Sequence, residues 1–354
     1  MSYNTGNLIE CSTLQVALEE VWQASPVTEM MPLEDVLTSA ENQRGITQLI
    51  LPGNGKKRNV EVTYSPRLTE SVVEENVDNP RCSTETKYGN LATTYSMPDQ
   101  NLGYAETVSN ADMRNSCLGP NSSYILSRIT AIADVLERAV ATQHAEEFAL
   151  LAGTWGNGIF ATGNAAGQVN TSDEYVWATR YSDGRVNPEA WGQLSIARMK
   201  AGLGDTIGFG GTTAWSYLNA SMAGCCSQDG INLIDAMNRF GMGYAYDKRL
   251  EAALASDDKF MVYRLGSVQP LFYVENPWLE GVAPGVIGSN YTHTSIFGPR
   301  TGMPMDLTIS DNCGQVTLAV AVSTKLIAVP NDQFFSGDEY FGINGVAKVK
   351  ITNP

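Results

Sequence analysis

Pro52-Gly53-Asn54-Gly55-Lys56-Lys57-Arg58-Asn59-Val60-Glu61-Val62-Thr63-Tyr64 is the stretch on which the reading of this chain turns. A turn sequence runs into a basic triplet and then into β-forming residues, and the segment around it, residues 48–97, has the same extended character. Further along lie Val72 and Val73 between the acidic residues Glu70, Glu74, Glu75 and Asp78. The segment reads as a long two-stranded ribbon with segregated charge and few large apolar residues. Such a ribbon is at best marginally stable alone. It is expected to become ordered on another surface, and the opposite charge blocks point to a second copy of the same protein.

The rest of the 354-residue chain can bury a substantial core, as one large domain or two intimately connected ones. A 43% hydrophobic and 17% charged composition is that of a globular protein, which excludes wholesale disorder. The formal net charge is −15, and the only basic run is Lys56-Lys57-Arg58. Tight nucleic-acid binding requires a concentrated basic surface, so sequence-specific DNA binding is not expected. An acidic wall that must not adhere to DNA is compatible with this charge. Met1-Ser2-Tyr3-Asn4 begins neither a basic nor an apolar leader, so no signal peptide is expected. No stretch approaches the length of a membrane-spanning helix. Cys11, Cys82, Cys117, Cys225, Cys226 and Cys313 are scattered without a Cys-x-x-Cys spacing and read as reduced thiols. The sequons at Asn121 and Asn290 read as chance matches.

Residues 1–45 read as an arm with a short helix. Ser12 and Gln15 fit a capping box, Leu14, Leu18, Val21 and Trp22 form a helical stripe, and Pro26 and Pro32 break it. Residues 98–120 read mostly as connection. The strongest helix follows, over 122–152. Ile125, Ile129, Ile132, Leu136, Val140, Phe148 and Leu151 recur at helical spacing, with no Gly or Pro before Gly153. A rod of roughly 45 Å results, and its single apolar stripe predicts that it lies across a sheet. Residues 153–167 read as a surface loop. Asn187-Pro188-Glu189 caps a helix through Leu194 and Met199 that stops at Gly202 and Gly204. Further helices are expected over 214–223 and 231–240. Strands are expected over 260–265, 270–275, 305–310, 316–322, 326–329 and 346–351. The fold class is α+β, with a helix-bearing block inserted between a long helix and terminal strands.

That order of parts resembles the major capsid proteins of tailed bacteriophages, with the Hong Kong 97-type fold. Local likeness lies in Asn187-Pro188-Glu189-Ala190-Trp191 through Gly202-Leu203-Gly204-Asp205, and in Tyr340-Phe341-Gly342-Ile343-Asn344-Gly345-Val346-Ala347-Lys348-Val349. The resemblance implies an N-terminal arm over 1–45 and an extended β-hairpin loop over 46–105 that reaches across a neighbouring subunit. It implies a peripheral domain over 106–186 with a spine helix over 121–152, an axial domain over 187–310, and returning strands of the peripheral domain over 311–354. Intersubunit contacts would then fall to Lys56, Lys57, Arg58, Glu70, Glu74 and Glu75. The implied partners are further copies, as hexamers and pentamers, with a portal and decoration or cement proteins, and DNA enclosed without sequence-specific binding. No charged helical extension precedes residue 46, so a separate scaffolding protein is expected. The implied location is the virion capsid, assembled in the host cytoplasm.

Catalytic and binding motifs are weak beside this. His144 lies in the long helix beside Glu146 and Glu147 without a His-Glu-x-x-His partner, and reads as a helix-surface histidine rather than a metal ligand. His293 reads as a loop histidine. Gly53-Asn54-Gly55-Lys56 resembles a phosphate loop only superficially, because Ile50 and Lys57 stand where a glycine and a hydroxyl residue are needed. Gly208-Phe209-Gly210-Gly211 and Gly241-Met242-Gly243 read as Gly-rich turns. Asp257-Asp258 and Glu74-Glu75 read as solvated faces or intersubunit partners. A Lys–Asn cross-link, known among capsid proteins, could draw on Lys56, Lys57 or Lys87 and Asn344, although no motif selects a pair. No catalytic residue, metal or cofactor is assigned. Two other functions compete with the capsid reading: an encapsulin-type nanocompartment shell, and an α+β enzyme acting on glycans or nucleotides. The enzyme would use Trp155, Trp177, Tyr181 and Trp191 as a sugar platform, against a core-packing role for the same residues.

Overall fold

The structure is a computed structural model that describes residues 29–39, 48–50, 59–64, 91–97, 102–109, 121–153, 155, 159–185, 187, 189–223, 242–273, 291–312, 315–328 and 345–352. In chain order its elements are α1 (Pro32–Leu37), β1 (Gln48–Ile50), β2 (Asn59–Tyr64), β3 (Leu91–Ser96), β4 (Leu102–Ser109), α2 (Asn121–Leu150), β5 (Glu174–Ala178), α3 (Ala190–Lys200), β6 (Thr206–Gly210), α4 (Thr212–Ala223), β7 (Met242–Ala245), α5 (Lys248–Leu254), β8 (Lys259–Tyr263), β9 (Val268–Tyr273), β10 (Tyr291–Phe297), β11 (Pro304–Asn312), β12 (Gln315–Ala328) and β13 (Val346–Thr352). The α+β class is as expected.

α2 is one continuous helix of 30 residues. Its stripe of Ile125, Ile129, Ile132, Leu136 and Val140 packs on a sheet of order β10-β11-β12-β4, burying Leu307, Ile309, Leu318 and Val320. The register explains the fit: Leu307 pairs with Val320 and Ile309 with Leu318, so the apolar residues of both strands share one face. β12 runs for 14 residues and serves two partners. Its first half pairs with β11 and β4, and its second half pairs with β9. The run expected to hold two strands, over 316–322 and 326–329, is a single strand that changes neighbours at Ser323.

The second sheet has the order β5-β13-β8-β6-β7. β13 is parallel to β5 and β6 to β7, while the β13–β8 and β6–β8 pairs are antiparallel. Successive residues of β8 enter different cores. Phe260 and Val262 face Trp177, Trp191, Leu194 and Tyr217 below α3 and α4. Met261 and Tyr263 face Leu33, Phe148 and Leu250 at the far end of α2. A strand covered on both sides reads as a continuous apolar run, which is what Phe260-Met261-Val262-Tyr263 is. The helix ending at Gly202 and the strand at β13 stand where they were expected. Asn187 Oδ1 accepts from Glu189 N at 3.0 Å, which turns the chain into α3, and Gly202 leaves it with a φ of +70°.

Several expectations are corrected. The ribbon carries a third strand: β1 pairs with β2 and β2 with β3, all antiparallel. Within 98–120, expected to be mostly connection, residues 102–109 form β4, an edge strand on β12. Its exposed Gly103, Tyr104 and Ala105 disguise the alternation that would announce a strand. Pro32 opens a further helix, α1, at its first turn, where the missing N–H costs nothing. The glycine runs at 208–211 and 241–243 are not simple turns. Gly208 and Gly210 lie inside β6 and Gly243 inside β7. A Cβ on Gly208 would come within 2.7 Å of the Tyr244 ring, so the glycine admits that ring across the sheet. The sheets also divide the chain differently from the expected blocks. β10 and β11 join the sheet under α2, and β13 joins the sheet of β6–β8. The helices expected over 12–22 and 231–240 lie outside the described residues, as do all six cysteines.

Candidate assembly interface

The residues expected to carry intersubunit contacts, Lys56, Lys57, Arg58, Glu70, Glu74 and Glu75, lie outside the described residues. Lys87 and Asn344, named for a cross-link, do so as well. What the structure describes is the frame that holds them. The basic triplet belongs to the connection between β1 and β2, whose register runs from Gln48↔Thr63 to Ile50↔Glu61. The acidic residues belong to the connection between β2 and β3, which leave their ladder at Tyr64↔Leu91. Among the described strands, this sheet pairs with neither of the other two.

Its root is anchored where β3 ends. Met97 is buried, and the Lys325 Nζ of β12 donates to the carbonyl of Ser96 at 3.4 Å. An open groove of about 500 Å³ lies beside this point, between Met97, Glu147, Leu150 and Lys325. Leu150 is 83% exposed there. Glu147 is occupied: its carboxylate accepts from Leu326 N at 2.8 Å and from Gln143 Nε2 at 2.7 Å.

The two histidines are corrected. His144 is not on the helix surface but fully buried. Its Nδ1 lies 2.7 Å from Glu34 Oε2 of α1 and its Nε2 lies 2.7 Å from Thr324 Oγ1 of β12. Its place was readable, since Val140, His144 and Phe148 recur every four residues along one stripe. His293 is not in a loop but in β10, buried, with Nε2 3.6 Å from Asp306 and Nδ1 3.3 Å from Thr308, its cross-strand partner. Both rings are tied into structural pairs.

Two carboxylates beside α2 are held in opposite ways. Arg128 clasps Glu106 of β4 through Nε at 2.7 Å and Nη2 at 2.6 Å. Hydrogen bonding to the guanidinium holds the Glu106 carboxyl below its usual range. Glu137 of α2 is buried. Burial pushes its carboxyl up, against the hydrogen bonds that lower it from Thr301 N at 3.0 Å, Thr301 Oγ1 at 2.8 Å and Arg300 N. Glu137 thereby fixes the hairpin turn between β10 and β11, and Gly298 leaves it room, since a Cβ there would meet its Oε1 at 2.2 Å.

The features that favoured an enzyme serve the core instead. Trp155, Trp177 and Trp191 are buried, with Trp177 wedged among Trp191, Tyr217 and Phe260 at ring separations of 5.4–5.8 Å. Only Tyr181 of that group is exposed. β6, Gly211 and α4 do form a strand–glycine–helix unit, the shape that cradles phosphate in nucleotide folds. The anion position is taken by the chain itself: Glu251 accepts from Thr212 N at 2.8 Å and from Thr212 Oγ1. Among the described residues no three His, Cys, Asp or Glu side chains converge as a metal site. None of the described helices is long and apolar enough to cross a membrane.

No family model and no curated protein matches the chain. Solved structures do. The chain is similar to one in the cyanophage A-1(L) capsid asymmetric unit, at 12% identity and a TM-score of 0.45, over 92% of this chain and 94% of the other. It is similar to a chain of the Mycobacterium phage Adephagia structure, at 10% identity and a TM-score of 0.42, over 98% and 99%. It is also similar to the SrpI encapsulin of Synechococcus elongatus, at 9% identity and a TM-score of 0.39, over 94% of each.

Proposed function

We propose that this chain is a major capsid protein, a structural subunit that self-assembles into the icosahedral shell enclosing the double-stranded DNA of a tailed phage. The observation that carries the reading is the order and independence of the parts. Among the described strands a three-stranded sheet pairs with neither main sheet, and it leads through β4 into a 30-residue helix lying across a sheet. A second, helix-covered sheet follows, and the chain returns to both sheets at its end. That order of parts supports the capsid reading. In this reading residues 46–105 are the loop that lies on a neighbouring subunit, α2 is the spine helix, and the block from 187 faces the capsomer centre. A ribbon with little to bury becomes ordered by association, and many modest contacts multiplied by symmetry hold the shell. The net charge of −15 suits a wall that contains DNA without adhering to it. Hexamers and pentamers of the chain are the working units, with a separate scaffolding protein, a portal and decoration proteins as partners.

Electron microscopy of the purified protein, alone and with a candidate scaffolding protein from its own genome, tests the proposal. Closed shells or capsomer rings are the expected result. A monomer at high concentration under both conditions overturns it. Shells that retain a protein cargo and come from a locus without terminase or portal genes move the assignment to an encapsulin.

A further inference from the structure

We propose that residues 29–39 form a charge-latched strap, a segment that docks and undocks as a unit while both sheet cores stay folded. The inference holds for the single subunit and does not depend on the proposed function. α1 has only six residues, far too few to be a stable helix alone. It makes no β-ladder with the body. Among the described residues its side-chain links to the body have one sense, with acidic groups on the strap and lysine, arginine or histidine on the body. Glu29 meets Lys248, Arg249 at 2.9 Å and Arg138 at 3.8 Å. Asp35 takes Arg300 at 2.6 Å, and Glu34 takes His144.

These partners come from separate parts of the fold. Arg138 and His144 belong to α2, Lys248 and Arg249 to α5, and Arg300 to the β10–β11 turn. Thr324 of β12 and the Phe272 ring of β9 complete the surroundings of His144. Backbone links support the same seam. Asp247, which caps α5 through Arg249 N and Leu250 N, gives its other oxygen to Leu33 N at 3.1 Å. Arg300 and Arg249 donate to the carbonyls of Glu29 and Met30. Leu33 and Leu37 enter the core shared by Phe148, Leu250 and Tyr263, so the strap closes the joint between the two main sheets.

The latch has a built-in weakness at its centre. Glu34 is buried, yet its Oε1 has no hydrogen-bond partner among the described residues. A buried carboxyl group with one oxygen unpaired retains part of its desolvation penalty, which subtracts from the strap's docking. The outer pairs at Glu29 and Asp35 reach solvent and are open to screening by salt.

Hydrogen exchange followed by mass spectrometry on the full chain, in low salt and in about 1 M salt, tests this. In the Glu29→Gln/Asp35→Asn variant, exchange over 29–39 should rise roughly tenfold, the scale of losing charge-assisted bonds, while β11, β12 and α2 keep their protection. High salt should produce the same selective rise in the unaltered protein. Glu34→Gln should give a further rise confined to the same peptide. If 29–39 exchanges in step with α2 and β12 in every condition, the segment is an inseparable part of the core and the proposal fails. Unchanged exchange in both the double variant and high salt also overturns it, whether or not Glu34→Gln folds.

Discussion

The two five-stranded sheets solve the same burial problem differently. Under α2, β12 alternates: Val316, Leu318, Val320 and Val322 are buried, while Gln315, Thr317, Ala319 and Ala321 look away. One helix covers one face, and the other face carries polar pairs such as Thr107 with Thr317, whose hydroxyl oxygens lie 3.1 Å apart. In the second sheet, β5 and most of β8 are buried at every position. There α3 and α4 lie on one face, with α5 and the end of α2 on the other. A one-faced sheet tolerates change on half its residues, and a two-faced sheet on almost none. Among the described strands, the sheet of β1–β3 pairs with neither.

The largest effect is expected at the centre of the two-faced sheet. Trp177→Ala removes a ring packed on three others and a hydrogen bond from Nε1 to Ala190 O at 2.6 Å. It should cost about 3–5 kcal/mol by denaturant titration. Leu318→Ala, under α2, should cost about 2–5 kcal/mol, whereas Thr317→Ala beside it should stay within about 0.5 kcal/mol. Equal losses at 317 and 318 would mean that the outer face of this sheet is also covered in the isolated subunit.

Smaller, and opposite in sign, are the pH effects of the two carboxylates at the margins of α2. Glu106 has a lowered pKa from its Arg128 bonds. Its contribution is present above the ordinary value of 4.5 and is lost as pH falls through the lower folded value. Arg128 is 40% exposed, so the pair is worth about 0–1 kcal/mol. Glu137 has a raised pKa from burial, so its contribution is present below 4.5 and is lost as pH rises through the folded value. Comparing unfolding free energies with Glu106→Gln and Glu137→Gln should therefore give differences that slope in opposite directions with pH. Slopes of one sign would show that burial does not dominate at Glu137.

The smallest effect per subunit concerns the ribbon. Reversing Lys56, Lys57 and Arg58 to glutamate should leave circular dichroism and the melting of the two main sheets unchanged. On the proposed capsid function it should impair shell formation seen by electron microscopy, because a surface ion pair worth about 0–1 kcal/mol would be repeated at every equivalent contact. Normal shells at low and high salt would show that these charges are merely solvated.

By itself the sequence determined the elements whose information is local. α2 was legible from an unbroken helical stripe, α3 from Asn187 and Gly202, and β12 and β13 from dense β-branched runs. Tertiary structure decided what depends on neighbours. β4 is a strand because β12 offers it an edge, not because Gly103-Tyr104-Ala105 prefer one. Pro32 begins a helix because Asp247 and His144 wait to receive Leu33 N and Glu34. His144 and Glu137 are buried where partners more than 100 residues away in sequence arrive with hydrogen bonds, which at Glu137 offset only part of the desolvation. Local propensity is a property of a few adjacent residues. The cost of burying a charge is set by whatever the rest of the chain brings to meet it.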